Sequence, residues 1–241
     1  MTRASPAAGP HRERARRLKE LAPGVWQVRG HRGSLPNLIN VYVVEDVLID
    51  ASTRHSGKRI LRELEGREIN AHALTHAHPD HQGASDEVCE TLGIPFWCPE
   101  GDVAAAEDSR LIGESQPNHP VTQFFFRTFT GPGRRVDRAL TEGDEVGGFE
   151  VIATPGHSAG HVAYWRHSDG VLIAGDVLTN MDQLTGRPGL HEPKWYLTPD
   201  PAENRRSTRK LAALEPKLAL FGHGRPLRDT RKFVDFVESL D

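Results

Sequence analysis

Four short apolar runs between Ile69 and His223 each end at a histidine or an aspartate set among turn-forming residues. Residues 69–74 lead into Thr75-His76-Ala77-His78-Pro79-Asp80-His81. Ile152-Ala153 lead through Thr154-Pro155-Gly156 to His157, Leu172-Ile173-Ala174 through Gly175 to Asp176, and residues 218–221 through Gly222 to His223. An apolar run with such punctuation reads as a buried strand that delivers a loop. Glycine beside a ligand-type residue permits the sharp turns that crowd several strand ends around one small site. The pattern asks for a fold in which four strands, distant in sequence, end at a common edge.

The first loop is the richest, with four possible metal ligands within six positions. His76 and His78 are two apart, so if strand geometry continues through them both imidazoles point to the same side. Asp80 and His81 then offer an oxygen and a nitrogen to a neighbouring position. Imidazole and carboxylate are the ligands that zinc and similar divalent ions take at catalytic centres. The four loops together supply five histidines and two aspartates, enough for two cations that share one bridging carboxylate.

Around these loops strand and helix patterns alternate. Residues 25–28, 38–44 and 47–49 read as an antiparallel meander, its last two strands joined by a turn at Glu45-Asp46. Ile60, Leu61 and Leu64 mark a helix over 56–65, stopped by Gly66. A strand over 69–75 is followed by a helix over 80–92, a strand over 94–98 and a short helix over 102–108. Strands over 138–140, 149–153, 161–165 and 171–174 come next. A helix over 202–214, a strand over 218–221 and a helix over 228–240 close the chain. This order hints at two similar halves in a single domain over 23–241. Residues 1–22, basic and polar, are expected to form a flexible tail with at most a short helix over 12–21.

The charge excludes some partners. Lys and Arg number 30 and Asp and Glu 33, a formal charge of −3 that makes no electrostatic case for nucleic acid or an anionic membrane. No apolar run approaches the ~18 residues of a membrane helix, and the basic N-terminus has no apolar stretch behind it to make a secretory signal. A cytoplasmic protein is expected. Its two cysteines, Cys89 and Cys98, read as buried thiols in a reducing compartment.

Two stretches break the pattern: residues 110–135, with Phe124, Phe125, Phe126 and Phe129 between turn residues, and residues 178–201, with Trp195 and Tyr196. Such segments in a compact domain serve as active-site lids or binding loops. Three consecutive phenylalanines equally suit a plug at the edge of the core. His119 and His191 fall in the same stretches, where solvated positions outweigh contact with a substrate. His11, His31 and His55 lie in polar surroundings and read as surface residues. His72 alternates with Ala71 and Ala73 and is expected to face away from the core they share.

Taken in order, His76-Ala77-His78-Pro79-Asp80-His81, Pro155-Gly156-His157-Ser158-Ala159-Gly160-His161, Gly175-Asp176 and Gly222-His223 resemble the motif set of the metallo-β-lactamase fold superfamily. Leu48-Ile49-Asp50 matches the family's aspartate at the end of an early strand. The likeness runs from about Pro23 to the C-terminus. It implies an α/β (α+β) fold, a four-layer αββα sandwich of two mixed β-sheets flanked by helices. It further implies that His76, His78 and His157 bind one metal ion and that Asp80, His81 and His223 bind a second. Asp176 would bridge the two, and Asp50 would orient a ligand from behind. His161 then has no metal position left to fill and reads as a buried, hydrogen-bonded structural histidine. Two such ions about 3.5–4 Å apart hold a bridging hydroxide as nucleophile, with Asp80 orienting the water or accepting its proton. Zinc is the expected metal, although iron and manganese accept the same ligands.

The branch follows from departures as well as matches. Asp176 stands where one β-lactamase subclass places a cysteine, which is similar to the thioesterase, lactonase, ribonuclease Z and sulfur dioxygenase branches. Glyoxalase II enzymes add a helical C-terminal domain, whereas about 18 residues follow His223. Ribonuclease Z would use a basic tRNA-binding arm, and residues 110–135 are aromatic instead. The expected activity is dinuclear metal-dependent hydrolysis of a small ester, lactone or thioester. Its apolar part would lie against Phe124, Phe125, Phe126, Phe129, Trp195 and Tyr196. A mononuclear-iron persulfide dioxygenase is the second reading and a ribonuclease Z-like phosphodiesterase the third. The partner is a small molecule, with neither nucleic acid nor membrane expected and the oligomeric state left open.

Overall fold

Neighbouring side chains on a strand point to opposite faces, and in this protein both faces are apolar. In the computed structural model, which describes residues 18–28, 38–114 and 116–240, strand β3 (Val41–Val44) is buried throughout. Tyr42 and Val44 enter one core, Val41 and Val43 another. A sheet made of such strands needs a cover on each side.

Seven strands form the first sheet, in the spatial order β1 (Lys19–Ala22), β2 (Val25–Val28), β3, β4 (Val47–Ile49), β5 (Ala71–Ala73), β6 (Phe96–Pro99) and β7 (Arg138–Leu140). The first four pair antiparallel, and β4 to β7 run parallel. The second sheet has the order β14 (Leu218–Leu220), β11 (Val171–Ile173), β10 (Val162–Arg166), β9 (Phe149–Ala153) and β8 (Glu145–Val146), with only the β11–β14 pair parallel. Between the sheets Tyr42, Ile49 and Ala73 pack on Phe149, Tyr164 and Ile173. On the outer face of the first sheet Val43, Leu48 and Phe96 meet Ile60 and Leu64 of the Gly57–Leu64 helix and Val88 of the Ser85–Leu92 helix. On the outer face of the second, Leu172 and Ala219 meet Leu211 of the Pro201–Ala212 helix and Phe233 of the Thr230–Glu238 helix. Helix, sheet, sheet, helix is the αββα order that the motifs imply. Each fully buried Val, Leu or Phe contributes about 1.5–3 kcal/mol, so all three apolar layers are needed. At one edge the sheets are also stitched by hydrogen bonds: Val162 N donates to Thr75 O (2.9 Å) and the Tyr164 hydroxyl to Leu74 O (2.5 Å).

Several expectations are corrected. Residues 19–22 are not tail or helix but β1, whose Lys19 lies opposite Gln27 of β2; the unpaired backbone of β2 gives this short segment a hydrogen-bonding partner. The tail before residue 18, and with it His11, lies outside the described residues, as does His31. The strands expected over 38–44 and 69–75 shorten to β3 and β5, so the loop that carries His76 starts just after Ala73. The helix expected over 80–92 is two helices, Pro79–Gln82 and Ser85–Leu92. They part at Gly83-Ala84, where a Cβ on Gly83 would lie 2.4 Å from both Arg54 N and Pro79 O. Residues 110–135 hold a ten-residue helix, Pro120–Phe129, started by Pro120 and by His119 Nδ1, which accepts from Val121 N. Residues 178–201 fold into a hairpin of β12 (Thr179–Met181) and β13 (Pro188–His191), then a 3-10 turn at Trp195–Leu197.

His72 does face away from the core of Ala71 and Ala73, yet that side is covered too. Its Nδ1 donates to Leu48 O (3.1 Å) and its Nε2 accepts from the Ser85 hydroxyl (2.8 Å). Burial lowers its pKa to about 4. Cys89 and Cys98 are free and buried, and burial pushes the Cys89 thiol up to about 12. His55 is exposed.

Candidate metal centre

The loops that leave β4, β5, β9, β11 and β14 meet at one end of the sandwich, where Asp50, His76, His78, Asp80, His81, His157, Asp176 and His223 are all buried. His76, His78 and His157 bring ligand atoms within 4.8 Å of one another, as do Asp80, His81 and His223, and also His76, His81 and Asp176. One oxygen joins the groups. Asp176 Oδ2 lies 3.0 Å from His223 Nε2, 3.6 Å from His81 Nε2 and 3.7 Å from His157 Nε2. Asp80 Oδ2 is 3.1 Å from the same His223 nitrogen.

Glycine makes this crowding possible. A Cβ on Gly222 would sit 2.0 Å from Asp176 Oδ1 and 2.6 Å from His81 Cε1. Gly175, at φ +57°, would place one 2.5 Å from His161 Nε2. That nitrogen is already in use, because it accepts from Asp176 N (2.9 Å) while His161 Nδ1 donates to Thr154 Oγ1 (2.8 Å). His161 therefore holds the backbone of Asp176. Burial lowers its pKa to about 3 and so keeps the accepting imidazole neutral.

Each of four histidines spends its Nδ1 proton behind the site. His81 Nδ1 donates to Asp50 Oδ2 (2.8 Å). Asp50 sits at φ +61° just past β4, a left-handed backbone that aspartate tolerates, and its other oxygen accepts from Thr75 N (2.8 Å). The Thr75 hydroxyl gives its proton to Asp50 and accepts from His76 Nδ1 (3.0 Å). The Thr198 hydroxyl gives its proton to Lys194 O (3.0 Å) and accepts from His157 Nδ1 (3.2 Å). His223 Nδ1 donates to Leu38 O. The Nε2 atoms of these four histidines, and Asp176 Oδ1, are buried without a hydrogen-bond partner. An unsatisfied buried polar atom costs about 1–3 kcal/mol, so five in one cluster are suited to a bound cation. The donor set, nitrogen and oxygen only, fits a divalent ion.

Charge is divided across the cluster. Burial, reinforced by neighbouring imidazoles, holds His76 and His157 well below the usual histidine range, so their lone pairs are free without loss of a proton. On the other side burial again opposes the charged form, but Asp50, Asp176 and Asp80 outweigh it at His81, and Asp176 with Asp80 raise His223 to about 10. The carboxylate-rich side thus concentrates positive charge, and metal binding there would release protons.

Asp102 was missed in the sequence. It is buried beyond the end of β6, where Oδ2 accepts from Ala77 N (2.9 Å) and Ser158 Oγ (2.7 Å) and Oδ1 from Gly160 N (2.7 Å). It ties the His76–His81 loop to the His157 loop. Its one local signal was an acid shortly after a strand, a placement it shares with Asp50, which the family resemblance marked.

Beside the cluster opens a cavity of about 250 Å³ whose wall includes Asp80 and His223. Of the six aromatic residues expected against a substrate, Phe125, Phe129 and Tyr196 line it, together with Val121 and Leu184. The other three do not. Phe124 and Trp195 are 67% and 62% exposed, and Phe126 is buried with its ring 5.9 Å from that of His78. Helical spacing is the reason, since 121, 125 and 129 share one face of the Pro120–Phe129 helix and Phe126 lies on another. The same helix is a wall of the cavity and a plug of the core. His119 stacks on Tyr196 (4.7 Å) and His191 sits on β13, neither of them on the cavity wall.

Comparison with known proteins agrees with this geometry. Residues 35–223 match the model of the metallo-beta-lactamase superfamily. A probable metallo-hydrolase of Bacillus subtilis (strain 168), YflN, is 30% identical across 89% of this chain and 91% of its own. A hydroxyacylglutathione hydrolase of Methylobacillus flagellatus is 31% identical across 55% of this chain and 42% of its own. The crystal structure of a metallo-beta-lactamase family protein from Thermus thermophilus superposes with a TM-score of 0.64, at 26% identity, over 91% of this chain and 80% of that one. On this sequence match and this shared fold, the chain belongs to the metallo-β-lactamase superfamily and is one of its hydrolases.

Proposed function

We propose that this protein hydrolyses a small ester, lactone or thioester with an apolar part, using two divalent metal ions, zinc foremost. One observation carries the reading: Asp176 Oδ2 stands within 3.7 Å of nitrogens from both triads, at the side of a cavity with apolar walls. His76, His78 and His157 would hold one ion, Asp80, His81 and His223 the other, with Asp176 shared. Ions bound in this way supply a water acidified toward neutral pH and polarisation of the scissile carbonyl.

The chain's own residues do the rest. Asp80 reaches the cavity wall, and although burial opposes its charge, His81 and His223 keep it ionised, so it can orient the attacking water by accepting a hydrogen bond. Phe125, Phe129 and Tyr196 remove the substrate's apolar part from water, at about 25 cal/mol per Å². Lys194 on the same wall is paired with Asp182 (2.6 Å), which leaves this side of the cavity without net charge.

The partial likeness to a hydroxyacylglutathione hydrolase supports thioesters as the first compounds to try. The test is turnover of p-nitrophenyl esters, lactones and acyl thioesters by zinc-loaded protein, with His76→Ala as control and metal content measured in parallel. Two zinc ions per chain and turnover lost in the variant support the reading. One iron per chain with oxygen uptake on a persulfide would replace it by the dioxygenase, and equal rates in both proteins would end it.

A further inference from the structure

Among the five histidines that could meet a cation, His78 is held in the opposite sense to the rest. The other four donate from Nδ1 to an oxygen and leave Nε2 toward the centre. His78 instead has Nε2 engaged, 2.9 Å from the side-chain amide nitrogen of Gln116, while the amide oxygen of Gln116, equally buried, has no partner. An amide N–H donating to His78 Nε2 would put the imidazole proton on Nδ1, and Nδ1 is then closed to a metal ion. Exchanging the amide's oxygen and nitrogen, which have nearly the same shape, removes both faults. The Gln116 oxygen gains a donor in His78 Nε2–H, and His78 Nδ1 is left with a bare lone pair.

We propose that Gln116 is a positioning residue that accepts from His78 Nε2–H and so fixes His78 as an Nδ1 ligand of the first metal ion. The inference rests on the dinuclear reading above. Gln116 lies in the segment that continues into the Pro120–Phe129 helix, which carries Val121, Phe125 and Phe129 on the cavity wall. One side-chain amide therefore joins the substrate-facing segment to the metal ligands, and any movement of that segment bears on the orientation of the His78 ring, packed edge-on to His76 and His157 at 4.6 and 4.5 Å.

The tautomers are read from nitrogen-15 spectra of the histidine rings in zinc-loaded protein. The expected result is a proton on Nε2 of His78 and protons on Nδ1 of His76, His81, His157 and His223. In zinc titrations Gln116→Leu should weaken one of the two sites by about 10-fold or more, while Gln116→Glu, which still offers an acceptor, should keep wild-type affinity. A His78 protonated on Nδ1 in the loaded protein overturns the proposal, and so does a Gln116→Leu protein that binds two zinc ions as tightly as wild type. If Gln116→Leu does not fold, the wild-type spectrum and the Gln116→Glu titration decide. Failure of the wild-type chain to bind zinc would count against the dinuclear reading instead, and the His78 tautomer in the metal-free protein would still test the hydrogen bond to Gln116.

Discussion

The two sides of the cavity are built differently. On the side of the candidate metal ligands each residue is fixed by hydrogen bonds from strand ends: Asp50 holds His81 and Thr75, Asp102 holds Ala77, Ser158 and Gly160, and His161 holds Asp176. The opposite side, made of the Pro120–Phe129 helix, the β12–β13 hairpin and the 3-10 turn, relies on ring contacts such as His119 on Tyr196, the bond from the Thr122 hydroxyl to Tyr196 O, and the Lys194–Asp182 pair. It also leaves Val121, Phe124, Leu184 and Trp195 exposed, four of the five large hydrophobic residues that are exposed among the described residues. The proposed chemistry at a metal pair would need ligands held to within about 0.5 Å, whereas recognition of an apolar group would ask only for a dry, adaptable wall.

The largest effect that tests this contrast is at the proposed bridge, Asp176. Asp176→Ala should reduce zinc below two per chain and lower kcat/KM at least about 10³-fold, measured by metal analysis and steady-state kinetics. Asp102→Ala touches no candidate ligand, yet it strips acceptors from two backbone N–H groups and a hydroxyl. A stability loss of at least about 3 kcal/mol in denaturant unfolding, with weaker zinc binding, is expected; a loss below about 0.5 kcal/mol would mean that the two loops are not held as described.

Acid tests the strand that feeds the first loop. The pKa of His72 falls from 6.5 to about 4 on folding, so as pH drops through that window the unfolded chain takes up a proton that the folded chain refuses. Stability is lost between about pH 6.5 and 4, by up to about 3 kcal/mol. His72→Gln should flatten that part of the profile, and identical profiles for the two proteins would refute the assignment.

On the other side of the cavity the effects shrink and change in kind. Phe125→Ala should lower kcat/KM for an apolar substrate by about 10-fold while both zinc ions stay bound, since it removes on the order of 1–2 kcal/mol of apolar contact. Phe124→Ser, one residue away but solvent-facing, should change stability by less than about 0.5 kcal/mol and leave kinetics alone. A loss of zinc in Phe125→Ala would show that the two sides are coupled more tightly than their contacts suggest.

Much of the layer architecture was legible because it rests on local patterns, short apolar runs in strands such as β3 and helical spacing in Ile60, Leu61 and Leu64. The Pro120–Phe129 helix was not, although Pro120 is a good helix start. Consecutive phenylalanines carry no amphipathic period, and only contact with His78 on one side and the cavity on another sorts Phe126 from Phe125 and Phe129. Strand β1 escaped for the opposite reason, since Lys19–Ala22 becomes a strand by pairing with β2 and has little strand character of its own.

The sequence by itself determined which side chains are gathered at the strand ends, because a ligand-type residue, its glycine and the apolar run before it lie within a few positions of one another. Which nitrogen each histidine turns to the centre was decided by the tertiary structure alone. That choice follows the partner of the other nitrogen, and the partners come from elsewhere in the chain: Asp50 for His81, Thr198 for His157, Leu38 for His223 and Gln116 for His78. A proton sits on one ring nitrogen or the other according to which acceptor is within about 3 Å, and that distance exists only once the chain has folded.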